Sequence, residues 1–201
     1  METLSGYQYN IEDAFTEAQR RIRLAGERRR TSLDLHSLGL AELPPEIAEL
    51  TNLERLNLEK NRLAGLPEDI SVLTELRWFN LSQNSLTSLP DSIGALKNLR
   101  SLILSANKLG TLPTGIGQLA ELTELFLSAN DLETLPDEIG SLVKLEGLYL
   151  SYNRLTTLTP ALKNLERLEW LHLEGNPGLG LDEKITAGAD DPFSILLSYF
   201  D

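Results

Sequence analysis

The chain has 201 residues and a net charge of −12, from 18 Lys and Arg against 30 Asp and Glu. Its field therefore repels phosphate backbones and anionic lipid, which argues against nucleic acid as a partner. No cysteine and only two histidines are present, so disulfides, thiolate nucleophiles, Cys-ligated zinc and His-based metal sites find no residues, and the expectation is a protein of the reducing cytoplasm with no cofactor. The first ten residues lack the basic and apolar regions of an export signal, and no apolar run approaches the roughly 18 residues of a membrane span.

Residues 10–25 place Ile11, Phe15, Ala18, Ile22 and Ala25 at helical spacing with polar residues between them, and Gly26 follows as a helix stop. The pattern predicts an amphipathic lid, and residues 1–29 are assigned to an N-terminal cap. Six arginines (Arg20, Arg21, Arg23, Arg28, Arg29 and Arg30) crowd the end of this segment. They are read as a solvated face that complements an acidic remainder.

From residue 30 the composition changes. The whole chain holds 45 Leu against 10 Ile and 2 Val, a bias that ordinary sheets, rich in β-branched residues, do not show. Asn61, Asn84, Asn107, Asn130, Asn153 and Asn176 stand 23 residues apart without an insertion, and the text around them reads LxxLxLxxNxLxxLPxxIxxLxx. One further strand fits upstream at Leu33, Asp34 and Leu35, although Leu38 stands where the series would place Asn. Seven strands are predicted, centred at 34, 57, 80, 103, 126, 149 and 172.

Stretches such as LERLNLEKNRLAGLPEDISVLTE and LTELFLSANDLETLPDEIGSLVK resemble leucine-rich-repeat proteins of the 23-residue bacterial type over residues 30–185. That resemblance implies an α/β solenoid: a leucine-rich-repeat horseshoe with a concave parallel sheet of about seven strands, an irregular convex side and a capping helix at each end. The physical reasoning agrees with it. Each unit points its leucines one way and cannot bury them alone, so neighbours must stack. A carboxamide both donates and accepts, so the Asn column is expected to form a hydrogen-bonded ladder through buried turns. Pro67, Pro90, Pro113 and Pro136 lack an N–H and predict an irregular or helical outer half, with Pro160 one place late in its unit.

After the repeats, Leu181 and Ile185 continue the last outer half. Asp190 or Asp191 with Pro192 then begins a helix carrying Ile195, Leu196, Tyr199 and Phe200. Residues 186–201 are assigned to a C-terminal cap. Because its last rings lack an evident partner, the expectation is that the chain is cut from a longer protein. The flanks AFTEAQRRIRLAGERRRTSLDLHSLGLAELPPEI, GNPGLGLDEKI and DDPFSILLSYF resemble those of the repeat domain in Roco proteins, where a GTPase domain comes next. That resemblance implies a regulatory arm.

Motifs for chemistry are lacking. Gly110 to Gly115 has the first spacing of a phosphate loop, but Ile116 occupies the Lys position. His36 and His172 fall six strands apart, roughly 29 Å, and cannot share a metal. No serine or carboxylate pair has a base placed beside it, so no catalytic residue is assigned and the chain is read as a non-enzyme. Asn80, Leu81 and Ser82 form a glycosylation sequon that has meaning only in a secretory setting.

Period-two alternation puts the middle column Asp34, Asn57, Asn80, Ile103, Phe126, Tyr149 and His172 on the concave face. The column turns from polar to apolar halfway along. Folding does not require this row, so Trp78, Ile103, Glu124, Phe126, Gly147, Tyr149, Tyr152, Trp170 and His172 are assigned to a partner-binding surface, with a dent expected over Gly147. The expected partner is a protein or peptide with apolar anchors and basic neighbours, since Glu124, Glu146, Glu169 and Glu174 border the row. The fragment is expected to be monomeric, a longer protein being free to oligomerise. The alternative reading is a secreted or surface-exposed bacterial repeat protein that binds a host protein.

Overall fold

The computed structural model describes residues 11–181 and 191–200. Seven three-residue strands, β1 (Ser32–Asp34), β2 (Arg55–Asn57), β3 (Trp78–Asn80), β4 (Ser101–Ile103), β5 (Glu124–Phe126), β6 (Gly147–Tyr149) and β7 (Trp170–His172), form one parallel sheet in sequence order. Every strand pairs with the next at a shift of 23 residues, as in Ser32 with Arg55 and Tyr149 with His172. The leucine-rich solenoid of the sequence is therefore the fold.

The Asn column explains why the register never slips. Asn107 Nδ2 donates to the carbonyls of Leu104, in its own repeat, and Leu81, in the preceding one, while its Oδ1 accepts the N–H of Leu86. Asn61, Asn84, Asn130, Asn153 and Asn176 repeat this pattern. All six are buried, where an unpaired backbone group is costly. The direction of the bonds accounts for Leu38. Each Asn reaches back to the preceding repeat, and the first repeat has none behind it, so an apolar side chain fills that buried position.

One feature of the turns was not legible in the sequence. The residue before each ladder position has a positive φ: Ser37, Lys60, Gln83, Ala106, Ala129 and Tyr152 lie at 55–57°, and Gly175 at 73°. The left-handed conformation costs a non-glycine residue about 1–2 kcal/mol. It is held because the same residue donates its N–H to the next strand's turn, as Lys60 does to Ser82 O at 3.0 Å and Tyr152 to Glu174 O at 2.7 Å.

The outer halves form five-residue 3-10 turns, among them Glu68–Val72, Asp91–Ala95, Thr114–Gln118 and Asp137–Ser141, each preceded by an extended proline. In the sixth repeat Pro160 is the first turn residue, and Thr159 takes the capping place and accepts the Ala161 N–H at 3.2 Å. The turn survives the displaced proline. Adjacent turns approach closely, so that a Cβ on Gly94 or Gly140 would meet the carbonyl of Gly115 or Ala161 at 2.6 or 2.5 Å. Crowding between repeats thus explains the recurring Ile-Gly pair.

Both described ends are covered. Helix α1 (Ile11–Glu27) packs Ala14, Ala18, Ile22 and Ala25 against the first repeat. Ala14 replaces the expected Phe15 on the buried stripe, Phe15 being only half-buried, because the small side chain lets the helix come close. Nor is Gly26 the stop. The helix ends in a Schellman pair, Arg30 N–H to Ala25 O and Arg29 N–H to Gly26 O, with Arg29 at φ 48°. Gly26 instead faces Leu50, whose Cδ2 would lie 3.3 Å from an added Cβ. Arg20 and Arg21 both bind Glu17 at 2.7 Å and hold its carboxyl at about 2.

At the other end α2 (Pro192–Phe200) begins at Asp191, whose carboxylate accepts the Ser194 N–H at 3.1 Å. The expected Ile185 contact falls outside the described residues. The rings of α2 are packed, contrary to expectation: Tyr199 Oη accepts the Leu158 N–H at 3.2 Å, and Lys163 Nζ lies 4.8 Å from the Phe200 centroid.

Two outcomes follow from this packing. Asn107→Ala leaves three buried backbone groups unpaired and should destabilise by about 3 kcal/mol or more, seen as a lower denaturant midpoint. Ile22→Asp places a charge under α1 and should cost a comparable amount and lower solubility, and an unchanged melting temperature would show that the helix is not a cap.

Candidate functional site: the concave face

The two halves of the middle column do different work. In the polar half the side chains serve the backbone: Asp34 Oδ1 accepts the His36 N–H at 3.0 Å, Asn57 Oδ1 the Glu59 N–H at 3.1 Å, and Asn80 Oδ1 both the N–H and the hydroxyl of Ser82, at 3.0 and 2.7 Å. These short loops start the turn after each strand. Asn80 is buried, so the sequon is closed to modification in the folded chain.

From β4 onward the column changes to Ile103, Phe126, Tyr149 and His172, which carry no such bond. Parallel pairing sets the rings one strand apart. Phe126 and Tyr149 stack with centroids 4.4 Å apart and planes 3° from parallel, and Tyr149 and His172 stack at 5.1 Å and 25°. All three are half-buried. His172 is thus a member of the row, its Nδ1 3.8 Å from Glu174 Oε2, whereas His36, at 2.8 Å from Asp34, stays at the opposite end of the sheet.

The expected dent over Gly147 is filled. A Cβ there would meet Tyr149 Cε2 at 2.8 Å and Oη at 3.1 Å, so the tyrosine lies across its own strand and Gly147 is buried beneath it. Glycine is needed for the ring and not for a ligand. Burial pushes the Tyr149 phenol up, and the Glu124 carboxylate adds to the shift.

The remaining assigned residues separate. Trp78 is half-buried under the Arg55 guanidinium, 4.4 Å from its ring centroid, and is therefore engaged within the sheet. Trp170 is 52% exposed and Tyr152 66%, with no ring or cation stacked on either among the described residues. Tyr152 leans on Gly175, where a Cβ would meet its Cδ1 at 2.6 Å. Glu124 is exposed at the start of β5. The sheet thus gathers Phe126, Tyr149, His172 and Trp170 on β5–β7, with Glu124 and Ile103 alongside, while Trp78 stands apart on β3.

A groove of about 730 Å³ lies between α1 and the first outer turn, lined in part by Gln19, Arg23, Glu46 and Leu50. It is the seam of the cap, bridged by Gln19 Nε2 to Glu46 Oε1 at 2.7 Å, and is remote from the aromatic row. A concave sheet presents a surface and not an enclosed cavity. Among the described residues no group of three or more metal-ligating side chains converges, and no helix is long and apolar enough to cross a membrane.

The model of the family described as leucine-rich repeat region matches residues 68–186, and that described as leucine rich repeat matches residues 29–86. The chain belongs to the leucine-rich-repeat family. Among solved structures it is similar to a leucine-rich-repeat protein of Leptospira interrogans, with 32% identity over 77% of this chain and 52% of that one and a TM-score of 0.55. It is similar to YopM of Yersinia enterocolitica at 32% identity over 80% and 32% of the two chains, with a TM-score of 0.64. The plant peptide hormone receptor RGFR1, solved in complex with RGF2, is 36% identical over 72% of this chain and 24% of its own, with a TM-score of 0.63. This leucine-rich-repeat chain spans about half or less of the lengths of these three. No curated protein matches it.

Because Glu124 and burial act together on Tyr149, the phenol should titrate above its usual 10. Glu124→Gln removes the negative charge and should move the midpoint back toward that value, read by ultraviolet difference absorbance. An unchanged midpoint would mean that the two groups do not interact.

Proposed function

We propose that this leucine-rich-repeat chain is a non-catalytic recognition module that holds a partner protein or peptide on the concave face of β4–β7. The observation that carries the reading is Trp170, a large apolar side chain left exposed on a regular strand beside a stacked aromatic row. Isolated exposed apolar residues are common, but an aromatic cluster on a rigid sheet marks a contact surface. The partner is expected to bring apolar anchors with basic neighbours. The complex of the plant receptor with RGF2 supports ligand binding by such a scaffold.

For the setting, the similarity to proteins of Leptospira and Yersinia favours a secreted or surface-exposed bacterial repeat protein that meets a host protein. The regulatory arm of a Roco-type GTPase in the cytoplasm is the second reading, carried by the resemblance of the flanking segments. A nucleotide-binding loop encoded after residue 201 would decide for it, and detection of the protein in culture supernatant would decide against it.

Stacking gives Phe126 and Tyr149 a share in stability as well, about 0.5–1.5 kcal/mol per pair beyond what burial of the rings contributes, so each alanine variant there should lower the folding free energy by at least that much. Trp170→Ala is the cleaner test: it should weaken partner binding by about 2 kcal/mol, roughly 30-fold in Kd, and leave the melting temperature within a few degrees. Trp78→Ala should have a smaller effect on Kd. Calorimetry with a captured partner measures both, and a Trp170 variant that binds like the wild type refutes the site.

A further inference from the structure

Lysine and arginine at the concave positions are confined to the N-terminal half of the sheet. Just before the seven strands the sequence places Thr31, Glu54, Arg77, Arg100, Thr123, Glu146 and Glu169 in one row. Adding the strand and turn positions, β2–β4 bring Arg55, Arg77 and Arg100 together with Glu54 and Glu59, Arg77 lying 3.8 Å from Glu54 and Arg55 over the Trp78 ring. Over β5–β7 the same positions hold Glu124, Glu146, Glu169 and Glu174 and neither Lys nor Arg.

The general acidity of the chain does not explain this separation. Off the concave positions the C-terminal half does have cations: Lys144 binds Glu121 at 2.7 Å, Arg154 binds Asp131 at 2.7 Å, Lys163 sits over Phe200, and Arg167 lies exposed in the loop before β7. Among the described residues Glu124, Glu146 and Glu169 have no cationic group within 4.0 Å. Glu174 Oε2 is closed to solvent without a hydrogen-bond partner.

Ring geometry narrows what could answer these carboxylates. Stacking covers the faces between Phe126, Tyr149 and His172, which leaves Trp170 as the exposed ring on the strands of this half, Tyr152 lying in the turn after β6. The Tyr149 hydroxyl lies over Gly147, between Glu124 and Trp170 in strand order. An indole face, a phenol oxygen and three carboxylates within about two strand spacings suit a planar cation. A guanidinium stacks flat on the ring while its planar fork of N–H donors reaches carboxylates at the edge, whereas an ammonium has N–H donors but no plane to stack.

Resting on the concave-face reading above, we propose that the start of β5–β7 is a subsite for an arginine of the partner, formed by Glu124, Glu146, Glu169, Tyr149 and Trp170, and that Arg100 receives an acidic side chain of the same segment. Arg100, before β4, and Trp170, on β7, stand three strand intervals apart, about 14 Å, the reach of about four residues of extended chain. The partner class is an extended segment with an arginine and an Asp or Glu about four positions apart, and an apolar residue between them over Ile103 and Phe126.

A random twelve-residue peptide library on phage, selected against the full chain, tests this. Enriched peptides should carry Arg with an acidic residue three to five positions away. They should bind the Glu124→Gln/Glu146→Gln/Glu169→Gln variant at least about tenfold more weakly, with Lys in place of the peptide Arg restoring only part of the affinity. All three carboxylates are exposed, and melting curves check that the variant folds. Peptides that lack arginine, or that ignore the glutamine variant while still losing affinity on Trp170→Ala, overturn the subsite and leave the concave-face reading standing. Peptides indifferent to both variants, or no enrichment at all, overturn the two together.

Discussion

Everything in this molecule hangs on a buried carboxamide. At each turn the chain must reverse beneath the surface, where unpaired N–H and C=O groups cannot reach water. One Asn per repeat satisfies three of them, spanning 26 residues to one carbonyl and 21 to one amide in the preceding unit. An inserted or deleted residue would unhook that contact. The invariant 23-residue period is the consequence, and the in-register parallel sheet follows from the period.

Once the period is fixed, residues 23 apart are neighbours across strands, and every column of the repeat becomes a column on the surface. Columns that face inward are Leu or Ile almost without exception, Phe79 being one departure that the core accepts. The Ile-Gly column on the outer side is constrained by the carbonyl of the next turn. The concave columns carry no comparable demand, so their composition is free to record a partner. Their polar half spends that freedom on turn-starting hydrogen bonds, whereas the aromatic half does not.

In the proposed reading the aromatic row serves the sheet and a ligand at once. Stacked rings stabilise each other across strands, and the same stacking presents a stiff ridge with little side-chain entropy left to lose on association. Trp170 stands outside the stack, and among the described residues Glu124, Glu146 and Glu169 lack a cation within 4.0 Å, the two features on which the proposed anchor and charge preference rest. Rigid repeats with variable concave side chains provide such surfaces without any change in the core.

The sequence by itself determined the architecture: six asparagines in phase, leucine columns and outer prolines specify seven strands, their order and their register, because a strict repeat leaves one way to stack. It also identified the concave columns, since strand alternation is a local property. Tertiary structure alone decided how those side chains lie. Phe126, Tyr149 and His172 are far apart in the chain, and whether they stack or splay depends on ring orientation, which no period encodes. Tyr149 turned over Gly147 and filled the expected dent because the glycine left room for it. The helix ends were misread for a related reason: Arg29 adopts the left-handed conformation that Gly26 was expected to supply, and Tyr199 finds the Leu158 amide, since these choices depend on contacts with repeats distant in sequence.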